Sequence, residues 1–103
     1  MDARRCLSYL TIEHRGEIPA AAKAKMGDCF YGCDRCAEAC PWNLRFARPT
    51  EVEELKPREC LLSMTSADWQ ALTVEKYREI FRKSAVKRAK FEGIVRNIRA
   101  ASE

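Results

Sequence analysis

Cys29-Phe30-Tyr31-Gly32-Cys33-Asp34-Arg35-Cys36-Ala37-Glu38-Ala39-Cys40-Pro41 holds four of the chain's six cysteines. The spacing is C-x3-C-x2-C-x3-C-P. Two residues between Cys33 and Cys36 make a tight turn that can aim both sulfurs at one metal centre. Pro41 cannot continue the helix before it, so it turns the chain away. Cys33-x2-Cys36-x3-Cys40-Pro41 matches the C-terminal part of a known iron–sulfur run, in which the last cysteine serves a second cluster. A zinc site made of four cysteines is the second reading. Zinc ribbons pair two separated C-x2-C knuckles, and this chain has one. Unligated buried thiols are the third. The spacing favours iron–sulfur binding and leaves the other two open.

Outward from this run, the composition narrows the class. The chain has 103 residues, which fits one small domain or a piece of a larger one. Charged residues make up 33% and hydrophobic residues 47%, which excludes a disordered low-complexity chain. No apolar run approaches the roughly 18 residues needed to cross a bilayer. Met1-Asp2-Ala3-Arg4-Arg5 lacks the apolar core of a signal peptide. A cytoplasmic setting without membrane partners is therefore expected. There, cysteines read as metal ligands or free thiols rather than disulfides.

The flanks read as helices. Asp2 can cap a helix whose apolar side carries Cys6, Leu7 and Leu10. Pro19 through Met26, closed by Gly27, is a short helix with its start and stop signals in place. Arg48-Pro49 through Lys56-Pro57 is a connector. Thr65-Ser66-Ala67-Asp68 fits a capping box. Thr73 can cap a second helix with Tyr77, Ile80 and Phe81 on one face. Ser84 can cap a third, in which Phe91, Ile94, Val95, Ile98 and Ala101 recur at helical spacing. Short apolar pieces leave room for small strands. The fold class is mainly α. His14 reads as a surface residue near a helix end. Trp69, Tyr77 and Phe81 read as core, and Phe30 and Trp42 as core or as shields for a cluster.

Charge is concentrated near the C-terminal end. From Arg78 to Arg99 there are eight basic and two acidic residues, net +6 in a chain of net +4. A basic patch beside an amphipathic helix fits a phosphate-binding face. Lys87, Arg88 and Arg96 are its candidates. They would hold a nucleic-acid backbone rather than read bases.

Several stretches together resemble one family. Asp2 through Glu13, Met26-Gly27, Tyr31-Gly32-Cys33-Asp34 with Cys36, and Cys40-Pro41-Trp42-Asn43 resemble the C-terminal part of epoxyqueuosine reductase. Phe81-Arg82, Ser84, Lys87-Arg88 and Arg96-Asn97 resemble that family's closing segment. The resemblance implies reduction of epoxyqueuosine to queuosine in tRNA, with cobalamin and two 4Fe–4S clusters. It implies a tRNA partner, an electron donor, and a catalytic N-terminal domain outside this chain. It also implies that Cys6, Cys33 and Cys36 bind one cluster and Cys40 joins the other. The chain would then supply only part of the ligands that two clusters need, and Met1 would not be a natural start. Such a fragment is expected to be inactive alone.

Under that reading, residues 1–49 are half of a ferredoxin-like iron–sulfur module. Residues 50–103 are a connector and a repeat-like helical segment. Cys29 and Cys60 depart from the family's pattern and read as free thiols. For Cys29 there is also the role of substitute ligand. The competing reading for the whole chain is a small zinc-stabilised module that binds RNA or protein without redox chemistry.

Overall fold

Residues 2–102 are described by a computed structural model. Eight α-helices are joined by turns, and no strand occurs among the described residues. The short strands left open by the sequence are therefore not formed. The helices are α1 (Leu7–Ile12), α2 (Ala20–Met26), α3 (Arg35–Ala39), α4 (Pro41–Phe46), α5 (Glu59–Leu62), α6 (Ser66–Gln70), α7 (Val74–Ile80) and α8 (Lys90–Ser102).

Local signals set most helix starts. The Asp2 carboxylate accepts from the Arg4 N–H, but it caps a 3-10 turn (Ala3–Arg5), and α1 starts only at Leu7. The expected single helix is thus split. Gly27 ends α2 with φ +55°, a conformation that costs a side-chain-bearing residue more than glycine. The Thr65 hydroxyl accepts from the Asp68 N–H, and the Asp68 carboxylate accepts from the Thr65 N–H. The capping box is formed as its residues predict. Thr73 caps α7 through the Lys76 N–H.

Ser84 departs from expectation. It caps a 3-10 turn (Ala85–Ala89), and α8 begins afterwards at Lys90, whose φ is +63°. The Arg15 guanidinium donates to the carbonyls of Arg88 and Ala89 at 3.1 and 3.2 Å. Those are the carbonyls a continuous helix would offer to the N–H groups of Glu92 and Gly93. These bonds tie the break between the two pieces to the segment after α1.

Two apolar clusters lie against α8. Ile94 and Ile98 pack with Leu72, Tyr77, Ile80, Phe81 and Ala89. Ala100 packs with Leu7, Leu10, Ile18 and Met26. Phe30 and Trp69 border the first cluster, with ring centroids 4.8 Å apart. Between the clusters sit two fully buried polar side chains, Thr11 and Asn97. The Asn97 amide donates to the carbonyls of Thr11 (2.7 Å) and Phe30 (2.9 Å). The Thr11 hydroxyl donates to the Leu7 carbonyl (2.8 Å) and accepts from the Gly32 N–H (2.9 Å). Every buried side-chain polar atom among the described residues has a partner, as burial demands.

Residues 41–60 are exposed throughout and belong to neither cluster, and Arg58 ties the end of the stretch to the carbonyls of Ile80 and Arg82. Trp42 is 72% exposed and stacks only on Phe46, at 5.7 Å. It does not fill the core, because α4 follows Pro41 away from α8.

Candidate metal centre

All six cysteines are free thiols. Cys6 precedes α1, and its carbonyl accepts the first α-helical bond, from the Leu10 N–H at 2.9 Å. Cys33 borders the Leu7, Leu10, Ile18 and Met26 cluster. Cys36 lies exposed on α3. Cys40 is half-buried at the break between α3 and α4, where Pro41 takes the first helical position. Cys60 is exposed on α5 and distant in sequence from the run.

Cys33, Cys36 and Cys40 are near one another in sequence and Cys6 lies well upstream, but the fold does not close them into a site. Among the described residues, no three Cys, His, Asp or Glu side chains are gathered as metal ligands need to be. The donor chemistry suits iron, since soft thiolates are the usual ligands of iron–sulfur clusters. The arrangement does not fit a cluster as it stands.

One pair of thiols does come together. Burial pushes the Cys29 thiol up from its ordinary value, and Cys33 beside it acts in the same direction. Arg35 opposes the shift. Cys29 and Cys33 line one open cleft of about 500 Å³ with Asp28, Gly32, Asp34 and Arg35. Sequence spacing alone paired Cys33 with Cys36, because C-x2-C is the familiar knuckle. The chain turns between Cys29 and Cys33 at Gly32, φ +76°, and both cysteines reach the same cleft.

The basic candidates separate into two kinds. Lys87 and Arg88 are exposed on the 3-10 turn before α8. Arg88 is paired with Glu13, and this bond holds the Glu13 carboxyl below its ordinary value. Arg96 is turned inward. Its guanidinium donates to the carbonyls of Leu10 (2.9 Å), His14 (2.6 Å) and Gly16 (2.9 Å) and to the Asn97 side-chain oxygen. Burial lowers its affinity for the proton, and Arg15 adds to this. The side chain still stays charged at neutral pH. Arg96 is thus a brace between α8 and the end of α1, and the face expected at three residues shows two at the surface. Arg15 and Asn97 were missed by the sequence reading. Asn97 enters the sequence reading only through the resemblance and Arg96 as a phosphate-binding candidate, because no local pattern marks a side chain that bonds across 86 residues.

Comparison with known proteins adds a second line of evidence. Residues 1–43 match the family model of a 4Fe–4S double cluster binding domain. An epoxyqueuosine reductase of Leadbetterella byssophila is 47% identical over 103 residues, all of this chain and 33% of that protein. The chain is a homologue of epoxyqueuosine reductases. Another such reductase, from Cellulophaga algicola, is 44% identical over 98 residues, 95% of this chain and 32% of its own. The Escherichia coli K12 epoxyqueuosine reductase is 41% identical over 101 residues, 98% of this chain and 26% of its own. The chain spans a third or less of the length of these relatives. No solved structure matches it. No helix among the described residues is long and apolar enough to cross a membrane.

Proposed function

We propose that this chain is the iron–sulfur and tRNA-facing C-terminal part of an epoxyqueuosine reductase. The observation that carries the reading is identity of 40–47% to proteins of that name over 95% or more of the chain. The double-cluster match over residues 1–43 supports the cofactor class. In this reading Cys6, Cys33 and Cys36 ligate one cluster and Cys40 the other. The remaining ligands come from the rest of a longer protein, which also holds the catalytic carboxylate and the cobalamin. Residues 1–49 are then half of a ferredoxin-like module, completed by that other part. The thiols stand apart in the chain described above, so the full set of ligands is what would draw them together.

For the tRNA, Lys87 and Arg88 offer exposed cations for phosphate contact, while Arg96 holds the surface behind them in shape. Such contacts make binding fall steeply with salt. The chain alone lacks the parts that would perform the reduction.

A chimera tests the reading. The aligned segment of the Escherichia coli relative is replaced by this chain, and queuosine is measured in tRNA from cells that lack their own reductase. The expected result is restored queuosine, lost again on Cys33→Ser, Cys36→Ser or Cys40→Ser. A soluble chimera that binds iron and makes no queuosine would overturn the reading. Binding of tRNA to the chimera should weaken with added salt and on Lys87→Glu. Salt-insensitive binding would remove the phosphate contact.

A further inference from the structure

The loop between α2 and α3 brings together two thiols that the cluster reading does not use as a pair. Cys29 and Cys33 are both half-buried and line the same open cleft. Burial raises the Cys29 thiol above its ordinary value, and the neighbouring Cys33 adds to this. No third metal-binding side chain among the described residues completes a set with them. Two thiols on one cleft without a third ligand suit a dithiol better than a metal cage.

The loop is anchored between the two cysteines and free to adjust beside them. The Phe30 carbonyl is held by Asn97, and the Gly32 N–H by Thr11. Gly27 (φ +55°) and Gly32 (φ +76°) flank the thiols, and nothing lies within 4 Å of the place a Gly32 side chain would take. Glycine at both positions gives the backbone around the thiols conformations that other residues rarely adopt, which helps a disulfide reach its specific geometry.

We propose that Cys29 and Cys33 form a reversible disulfide, and that Cys33 is withheld from iron while it is closed. The oxidant class is a peroxide. One thiol attacks hydrogen peroxide, whose O–O bond breaks, giving a sulfenic acid and one water. The second thiol displaces the sulfenic hydroxyl as water, and the S–S bond forms. Two thiols and one peroxide thus yield one disulfide and two waters. Each sulfur loses one electron, and the peroxide gains both. Two equivalents of a small thiol reverse the change by exchange. Cys29 is in this account a resolving thiol and not a substitute cluster ligand. The effect on iron rests on the cluster role proposed for Cys33, whereas the disulfide does not.

The test uses the metal-free, reduced chain. Trypsin cuts after Lys25 and Arg35, so both cysteines fall on the peptide Met26–Arg35. After mild hydrogen peroxide and thiol blocking, that peptide should lose two hydrogens and carry no blocking group. Dithiothreitol should restore two blockable thiols. In Cys29→Ser the same peptide should instead give a sulfenic acid at Cys33, trapped by dimedone. Recovery of Cys33 linked to Cys6 or Cys36, or of both thiols free while other cysteines oxidise, would overturn the pair.

Iron and sulfide reconstitution of the chimera, which supplies the remaining ligands, then tests the second half. Oxidised wild type should take up several-fold less iron than the same sample after dithiothreitol, and reduced Cys29→Ser should match reduced wild type. Equal uptake by the mapped disulfide form would overturn the withholding. Several-fold lower uptake by reduced Cys29→Ser would make Cys29 a ligand and overturn its resolving role. If no reduced sample holds iron, the cluster reading of this chain fails, and the peptide result alone decides the disulfide.

Discussion

The stretch from Pro41 to Cys60 and the helix α8 are both rich in apolar side chains, yet they have opposite fates. On α8, Ile94, Ile98 and Ala100 are buried in two clusters. In the other stretch, Trp42, Leu44, Phe46, Val52 and Leu55 are all exposed, between 50% and 76%. Hydrophobic content does not distinguish them. Polar anchors do. α8 carries Arg96 and Asn97, which bond to the end of α1 and to the loop before α3. From Pro41 to Leu55 the exposed stretch has local bonds, such as Asn43 to Ala37, and its long-range anchor, Arg58 to the Ile80 and Arg82 carbonyls, comes only near its end. Its cysteine neighbour Cys40 is therefore held by a helix break and little else. Burial follows where chain segments are tied together, because each apolar contact gains only when its partners are already ordered.

The comparison breaks most readily at Asn97. Replacing it by leucine removes the bonds to the Thr11 and Phe30 carbonyls and takes an acceptor from Arg96. Leaving such buried groups unpaired should cost about 3 kcal/mol, read as a lower midpoint in chemical denaturation. A loss within experimental error would show that apolar burial alone holds α8.

A smaller effect is expected from acid. Glu13 is held below its ordinary value by Arg88, and Asp68 by the Thr65 N–H. A lowered folded value means that the stabilisation is present above the ordinary carboxylate range, roughly pH 4, and is lost as pH falls through the folded values. The thermal midpoint should therefore drop as pH is lowered below about 4. Glu13→Gln, which unties the two ends, should lower the neutral-pH midpoint and flatten that drop. An unchanged pH profile in Glu13→Gln would remove the ion pair from the comparison.

The smallest change should come from the exposed stretch itself. Trp42→Ala should alter stability by no more than about 0.5 kcal/mol, as for a surface position. A loss as large as that of Asn97→Leu would mean that Trp42 is buried in solution and that the two regions are not different in kind.

Much of this molecule was legible as local chemistry. The capping box at Thr65 and Asp68, the cap at Thr73 and the stop at Gly27 each need only residues within one turn. Their hydrogen bonds form wherever the sequence places them. The burial of Tyr77, Ile80, Phe81, Ile94 and Ile98 follows from helical spacing, which puts them on one face. The candidate site was legible in its residue types and less so in its geometry. Spacing joined Cys33 to Cys36 and Cys40, and the fold set Cys29 beside Cys33 without closing a third ligand onto them.

By itself the sequence determined the helical class, the caps and the cysteine chemistry, because these depend on neighbours along the chain. Only the tertiary structure decided that Arg15 ties the turn at Ala85–Ala89 to the segment after α1, that Arg96 turns inward, and that Trp42 stays in solvent. Each of those outcomes depends on which distant groups are close enough to bond. Residue spacing carries no information about a contact made across more than 70 positions.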